Sequence, residues 1–169
     1  MKKLFLMIYY AIASKLPNIS FPMGKFFNRF RVFTLRRVIR IGNNCRVMRN
    51  VYIGSGKNIE IGNFCRINEQ TRLSNVKIGN HVMVARETIF LGMSHRHDST
   101  DIPMERQGTE VMQQSIIEDD VWIGARVVVM PGVHIKKGCI IASSAVVTKD
   151  TEEYGVYGGV PAKLIKKRK

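Results

Sequence analysis

The sequence predicts an all-β fold, a parallel β-helix, from three observations. Aliphatic residues recur every six positions: Ile41, Val47 and Ile53, then Ile61, Ile67 and Leu73, then Ile78, Val84 and Phe90. After an interruption the beat returns at Ile117, Ile123, Val129, Ile135, Ile141 and Val147. The next residue is often small (Gly42, Gly54, Gly62, Gly79, Ala85, Gly124, Ala142), and the fourth residue on is small or β-branched (Val51, Thr71, Val82, Thr88, Val121, Val127, Val133, Ala145). A helix repeats near 3.6 residues and a plain strand about every 2, so neither produces this period. Hexads instead form the short walls of a coil, and each wall buries its anchor only when coils stack. The small residues after the anchors are expected at tight corners, where glycine accepts φ > 0.

In chain order, residues 1–40 form a basic segment with nine Lys/Arg and no carboxylate. Lys2–Lys3 followed by an apolar run from Leu4 to Ala13 imitates a secretory leader, and a cleaved signal is one reading. The run is too short to span a bilayer and is broken by Tyr9 and Tyr10. Two short amphipathic helices joined by the Pro17–Pro22 segment explain it better, together with the basic, aromatic stretch from Lys25 to Arg40. Such helices can cap the open end of the coil or rest on anionic lipid headgroups. Residues 41–152 carry the repeat, interrupted by an unpatterned loop over 92–115. Residues 153–169 form a basic tail.

Composition narrows the function. The net charge of +14 sits at the ends: besides the nine cations of 1–40, residues 163–169 hold five more, and 41–162 are balanced. Cationic ends favour an anionic partner such as a membrane surface or a phosphorylated small molecule. Nucleic acid is disfavoured, because no recognition helix or aromatic platform accompanies the charge. Cys45, Cys65 and Cys139 each fall four residues after an anchor and read as small core side chains. Their odd number and separate coils argue against disulfides and zinc, and fit a reducing, cytoplasmic setting.

A long loop inside a compact repeat is usually functional. This one carries His95 and His97, followed by Asp98 and Asp101. Histidine titrates near neutrality and is the commonest general base, although a solvated loop histidine is the plain alternative.

The hexads, the His-bearing excursion with Asp101-Ile102-Pro103-Met104, Val121-Trp122-Ile123-Gly124-Ala125, Pro131-Gly132-Val133, Val147-Thr148-Lys149-Asp150 and Gly158-Gly159-Val160-Pro161-Ala162-Lys163 resemble the hexapeptide-repeat acetyltransferases. Within them the chain is similar to sugar O-acetyltransferases, those for maltose and galactosides and those of capsule and colanic-acid synthesis. The resemblance implies a left-handed β-helix acting as a homotrimer, with acetyl-CoA as co-substrate held between subunits and no metal. It implies a sugar or glycan acceptor in surface polysaccharide synthesis, and the cationic N-terminus suits an acceptor still linked to a lipid or nucleotide carrier. His95 is implied as the general base, with His97 a rival lacking the family match. Trp122 is implied in the acetyl or acceptor pocket, with packing as its alternative, and Asp98 is a further acceptor-side candidate. Ala125 and Ser143 match positions that meet the pantetheine arm, Thr148 and Lys149 the cofactor-contacting pair, and Lys163 and Lys166 the basic groups near the nucleotide phosphates. Relatives that orient the histidine with an N-terminal acid have no counterpart here, which leaves a backbone carbonyl, Asp98, Asp101 or Glu69. Two other classes compete. A γ-class carbonic anhydrase would bind zinc through histidines such as His81, His95 and His97, and a non-catalytic scaffold would use the coil faces for assembly.

Overall fold

A computed structural model describes residues 1–168. Helix α1 spans Lys2–Ala11 and α2 spans Gly24–Arg36, with a 3-10 turn at Ala13–Lys15 between them. The first two coils contain β1 (Arg40–Ile41), β2 (Arg46–Val47), β3 (Ile59–Ile61) and β4 (Arg66–Ile67). The third has β5 (Val76–Ile78), β6 (Met83–Val84) and β7 (Ile89–Phe90). A side hairpin follows, made of β8 (Met93–His95) and β9 (Thr109–Val111). The fourth coil holds β10 (Ser115–Ile117), β11 (Trp122–Ile123) and β12 (Val128–Val129). The fifth holds β13 (His134–Ile135), β14 (Ile140–Ile141) and β15 (Val146–Val147). Strand β16 (Gly155–Gly158) opens another coil, and β17 (Lys163–Lys167) turns back along it.

Parallel pairing of successive coils produces three faces. The first is β1-β3-β5-β10-β13. The second is β2-β4-β6-β11-β14-β16, closed by antiparallel β17. The third is β7-β12-β15, continued by the bridges Tyr52↔Arg72 and Arg72↔Ile89. The register places anchor on anchor, Ile61 beside Ile41 and Ile78, and Ile67 beside Val47 and Val84. Every anchor from Val47 onward is buried, while Ile41, in the first coil, is only partly covered. The period of six is thus the circumference of the coil divided among three walls, and the fold is the expected left-handed parallel β-helix.

The corners differ from the expectation. Left-handed backbone recurs at the third residue after an anchor, at Asn44, Phe64, His81 and Asp120 on one edge and at Asn50, Gln70, Glu87, Arg126 and Ser144 on the next. A non-glycine residue in this conformation costs about 1–2 kcal/mol, and the ladders on either side hold it there. The glycines immediately after the anchors meet another need. A Cβ on Gly62 would stand 2.5 Å from the Gly79 carbonyl oxygen, and one on Gly42 2.7 Å from that of Gly62. The close approach of successive coils, rather than φ, excludes a side chain there.

The N-terminal segment meets the backbone of the first coil, which has no coil above it. Tyr9, wholly buried, donates to Val51 O at 2.7 Å, and the Tyr10 hydroxyl donates to Gly54 O while accepting from Ile53 N–H. Asn28 accepts from Val47 N–H and donates to Cys45 O, as a neighbouring strand would. Arg31 is wholly buried without a carboxylate and donates to the carbonyls of Ala13, Val47, Leu16 and Pro17. Tyr9, Ala13, Arg31 and Leu35 are therefore core residues, and the leader-like stretch is part of the packed fold. Among the described residues no helix is long and apolar enough to cross a membrane. The expected basic tail is also ordered differently: β16 extends the second face, and Lys167 and Arg168 tie the returning strand down through Glu152 at 2.8 Å and Asp120 at 3.1 Å.

Candidate active site

The loop that breaks the repeat is a built hairpin. It leaves the third face after Phe90 and pairs Met93↔Val111, Ser94↔Glu110 and His95↔Thr109 antiparallel. Its foot is fixed by Asn75, whose amide donates to Met112 O at 2.6 Å. Its tip is braced by Gln107, which donates to the carbonyls of Ser99 and Ile102 and accepts from Ser99 N–H. Ser115, at the end of the unpatterned stretch, is already a buried residue of β10. The hairpin carries an exposed His95, whose ring makes no hydrogen bond among the described residues. Its backbone carbonyl accepts from the His97 ring at 3.1 Å.

None of the three carboxylates considered as its orienting partner reaches His95. Asp98 pairs with Arg96 at 3.1 Å, Glu69 accepts from the Asn18 amide at 2.6 Å, and Asp101 is exposed with its N–H on Ser99. The histidine triad of the zinc reading is likewise absent. His81 is a corner residue stacked on Phe64, with rings 4.9 Å apart and 6° from parallel. Among the described residues no cluster of His, Cys, Asp or Glu has metal-binding proximity.

The remaining candidates divide between the two ends of the third face. At the end where the hairpin departs lie His95 and, two coils on, exposed Thr148 and Lys149. At the other end lie Ala125 and Ser143, one coil apart, with the Ser143 hydroxyl accepting from Ala125 N–H at 3.2 Å. Below them the chain turns through Gly159–Ala162, held by Val146 N–H to Gly159 O and Ala162 N–H to Val146 O. Lys163 and Lys166 follow on β17, exposed and free of ion pairs among the described residues. Trp122 points outward from the second face between Met83 and Ile140 and borders a cavity of about 340 Å³. Ala125, Ser143 and Lys163 thus lie near one edge, with Trp122 on the adjoining second face, and His95 with Thr148 and Lys149 lies at the other.

Two residues were missed from sequence. Tyr52 and Arg72 point outward on the third face, with the guanidinium 4.8 Å from the ring centroid. They line a cavity of about 600 Å³ under the hairpin, bounded by Met93 and Val111. Each directly precedes a repeat anchor, and that register was the available signal.

Residues 114–149 match the bacterial transferase hexapeptide family (six repeats). The chain is 36% identical over 126 residues to a probable macrolide acetyltransferase of Lysinibacillus sphaericus, covering 67% of this chain and 62% of the relative. It is 30% identical over 131 residues to a galactoside O-acetyltransferase of Lactococcus lactis subsp. lactis, covering 75% of this chain and 62% of that protein. The chain therefore spans about six-tenths of these relatives. Among solved structures, a hexapeptide-repeat acetyltransferase of Vibrio cholerae O1 biovar eltor complexed with acetyl-CoA superposes with a TM-score of 0.83 at 26% identity, covering 99% of this chain and 87% of that one. This chain carries the hexapeptide repeat of the bacterial transferases and resembles the hexapeptide-repeat acetyltransferases in both sequence and fold.

Proposed function

We propose that this protein is an acetyl-CoA-dependent O-acetyltransferase that modifies a sugar hydroxyl in surface-polysaccharide synthesis, with one site at each contact of a cyclic trimer. The observation that carries the reading is the division of the candidate residues. His95 projects on a braced hairpin at one end of the third face, while Ala125 and Ser143 lie at the other, next to Trp122 on the second face. A head-to-tail ring brings the hairpin of one copy against the Trp122 edge of the next.

The edge of Ala125 and Ser143 fits an extended pantetheine arm. Its side chains are small, Ser143 is exposed, and Lys163 and Lys166 stand at its foot for phosphate groups. His95, in its neutral form, takes the proton of the acceptor hydroxyl as that oxygen attacks the thioester carbonyl. The tetrahedral oxyanion is stabilised by backbone N–H groups. Its collapse breaks the C–S bond, and the imidazolium returns its proton to the departing thiolate, leaving an acetyl ester and free CoA. Transfer is direct, without an acyl-enzyme.

The acceptor is carried on a lipid or nucleotide. The N-terminal segment is cationic and also exposes Leu4, Met7, Phe26 and Phe33, which suits contact with an anionic membrane surface. The three cysteines are buried free thiols, which fits a cytoplasmic protein. The relative named as a probable macrolide acetyltransferase favours a second acceptor class, a macrolide. The test is calorimetric titration with acetyl-CoA, followed by transfer assays with sugar and macrolide acceptors. Saturable binding near one equivalent per chain is expected, and no binding by folded protein overturns the reading.

A further inference from the structure

Some cations on this coil are matched by a carboxylate on a neighbouring turn. On the first face Arg40 lies beside Glu60 in register and pairs with it at 3.0 Å, and at a corner Arg126 pairs with Glu87 at 2.8 Å. The second face instead sets two arginines against each other. Arg46 on β2 and Arg66 on β4 are direct register partners, both exposed, and neither has an ion pair among the described residues. Like charges placed opposite each other on parallel strands about 4.8 Å apart repel.

The outward row continues from Arg66 through Met83 to Trp122. Arg46 also borders a second cavity, of about 510 Å³, between α2 and the first coil, to which Lys25, Arg29 and Arg36 contribute. Arg36 is held in place by donating to Gly42 O and Asn43 Oδ1. No carboxylate lines either cavity. The result is a groove whose two cavities meet at Arg46, with five cations at one end and the tryptophan at the other.

We propose that this groove binds the diphosphate of a glycosyl diphosphate, with Arg46 and Arg66 gripping the phosphates and the sugar reaching toward Trp122. The inference rests on the acetyltransferase reading above and names the class of acceptor that it would use. Arginine forks match phosphate oxygens in pairs, and an anion between them converts the Arg46–Arg66 repulsion into attraction. Two rungs separate Arg66 from Trp122, about 10 Å, the reach of one or two sugar residues. The diphosphate could come from a nucleotide or a polyprenyl carrier.

The test is titration calorimetry of the full-length protein with inorganic pyrophosphate, UDP-glucose and farnesyl diphosphate, with and without saturating CoA. The fluorescence of Trp122, the one tryptophan of the chain, supplies a local readout. Saturable pyrophosphate binding that persists with CoA bound is expected, weakened about tenfold or more in Arg46→Gln/Arg66→Gln. Arg46→Lys/Arg66→Lys should retain part of it, and Lys3→Gln/Lys77→Gln, with the same change in net charge, should retain all. Tighter UDP-glucose binding assigns a nucleotide carrier, and tighter farnesyl diphosphate binding a lipid one. Displacement by CoA, equal loss in the Lys3/Lys77 control, or no binding overturns the proposal. Acetyl-CoA titration of the same variants reports on the acetyltransferase reading independently.

Discussion

His95 carries the chemistry proposed here, on a hairpin that holds it exposed and, among the described residues, without a carboxylate partner. The one long break of the repeat singles out His95 and His97, and the family resemblance chooses between them. The orienting partner of His95 is a matter of tertiary contact, and the fold pairs Asp98 with Arg96, binds Glu69 to Asn18 and leaves the Asp101 side chain exposed. His95→Ala should leave acetyl-CoA affinity intact and lower kcat by about 100-fold or more, and full activity in a steady-state assay would remove it as the base. Arg31 offers a stability test. Its guanidinium satisfies four carbonyls in the core without a counter-charge, and burial holds its pKa below the usual arginine value. Arg31→Met should lower the unfolding free energy by about 3–5 kcal/mol in urea titrations, because the carbonyls lose their donors.

The coil itself is the element at the next scale, and its weak points are where successive turns touch. Gly62→Ala should cost about 1–3 kcal/mol in the same titrations, since the added methyl meets the Gly79 carbonyl. Turns are also stapled by charge. Glu118 accepts from Lys137 N–H at 2.8 Å and from the His134 ring at 2.7 Å, with Lys136 at 3.6 Å. Desolvation opposes its ionisation, yet these partners together hold its pKa below the ordinary carboxylate range. A carboxylate depressed in the folded state stabilises the fold above its unfolded pKa of about 4.3, and that contribution disappears as pH falls through the folded value. Urea midpoints of the parent and Glu118→Gln should therefore differ at neutral pH and converge at acid pH; a constant gap would refute the staple. The corners show what periodicity cannot show. It located the coils, but the pattern of small residues could not tell a residue that must be left-handed from one that must be slim.

At the scale of the molecule, the proposed function divides the site between two subunits and so needs a neighbour. Sedimentation should give a trimer. A His95→Ala chain and a Trp122→Ala chain, each impaired alone, should recover activity when co-expressed, because a mixed ring rebuilds an intact contact. No recovery would place the whole site within one chain. The sequence alone determined the β-helix, its core anchors, the hairpin's position and the cationic ends, because burial on a repeating coil writes its period directly into residue type. Only the tertiary structure decided which residues face one another across coils, among them Arg46 beside Arg66, Arg72 on Tyr52 and Arg31 in the core. Those contacts depend on which coil stacks where and on how the helices close the first turn, and these are long-range geometries that no local pattern encodes.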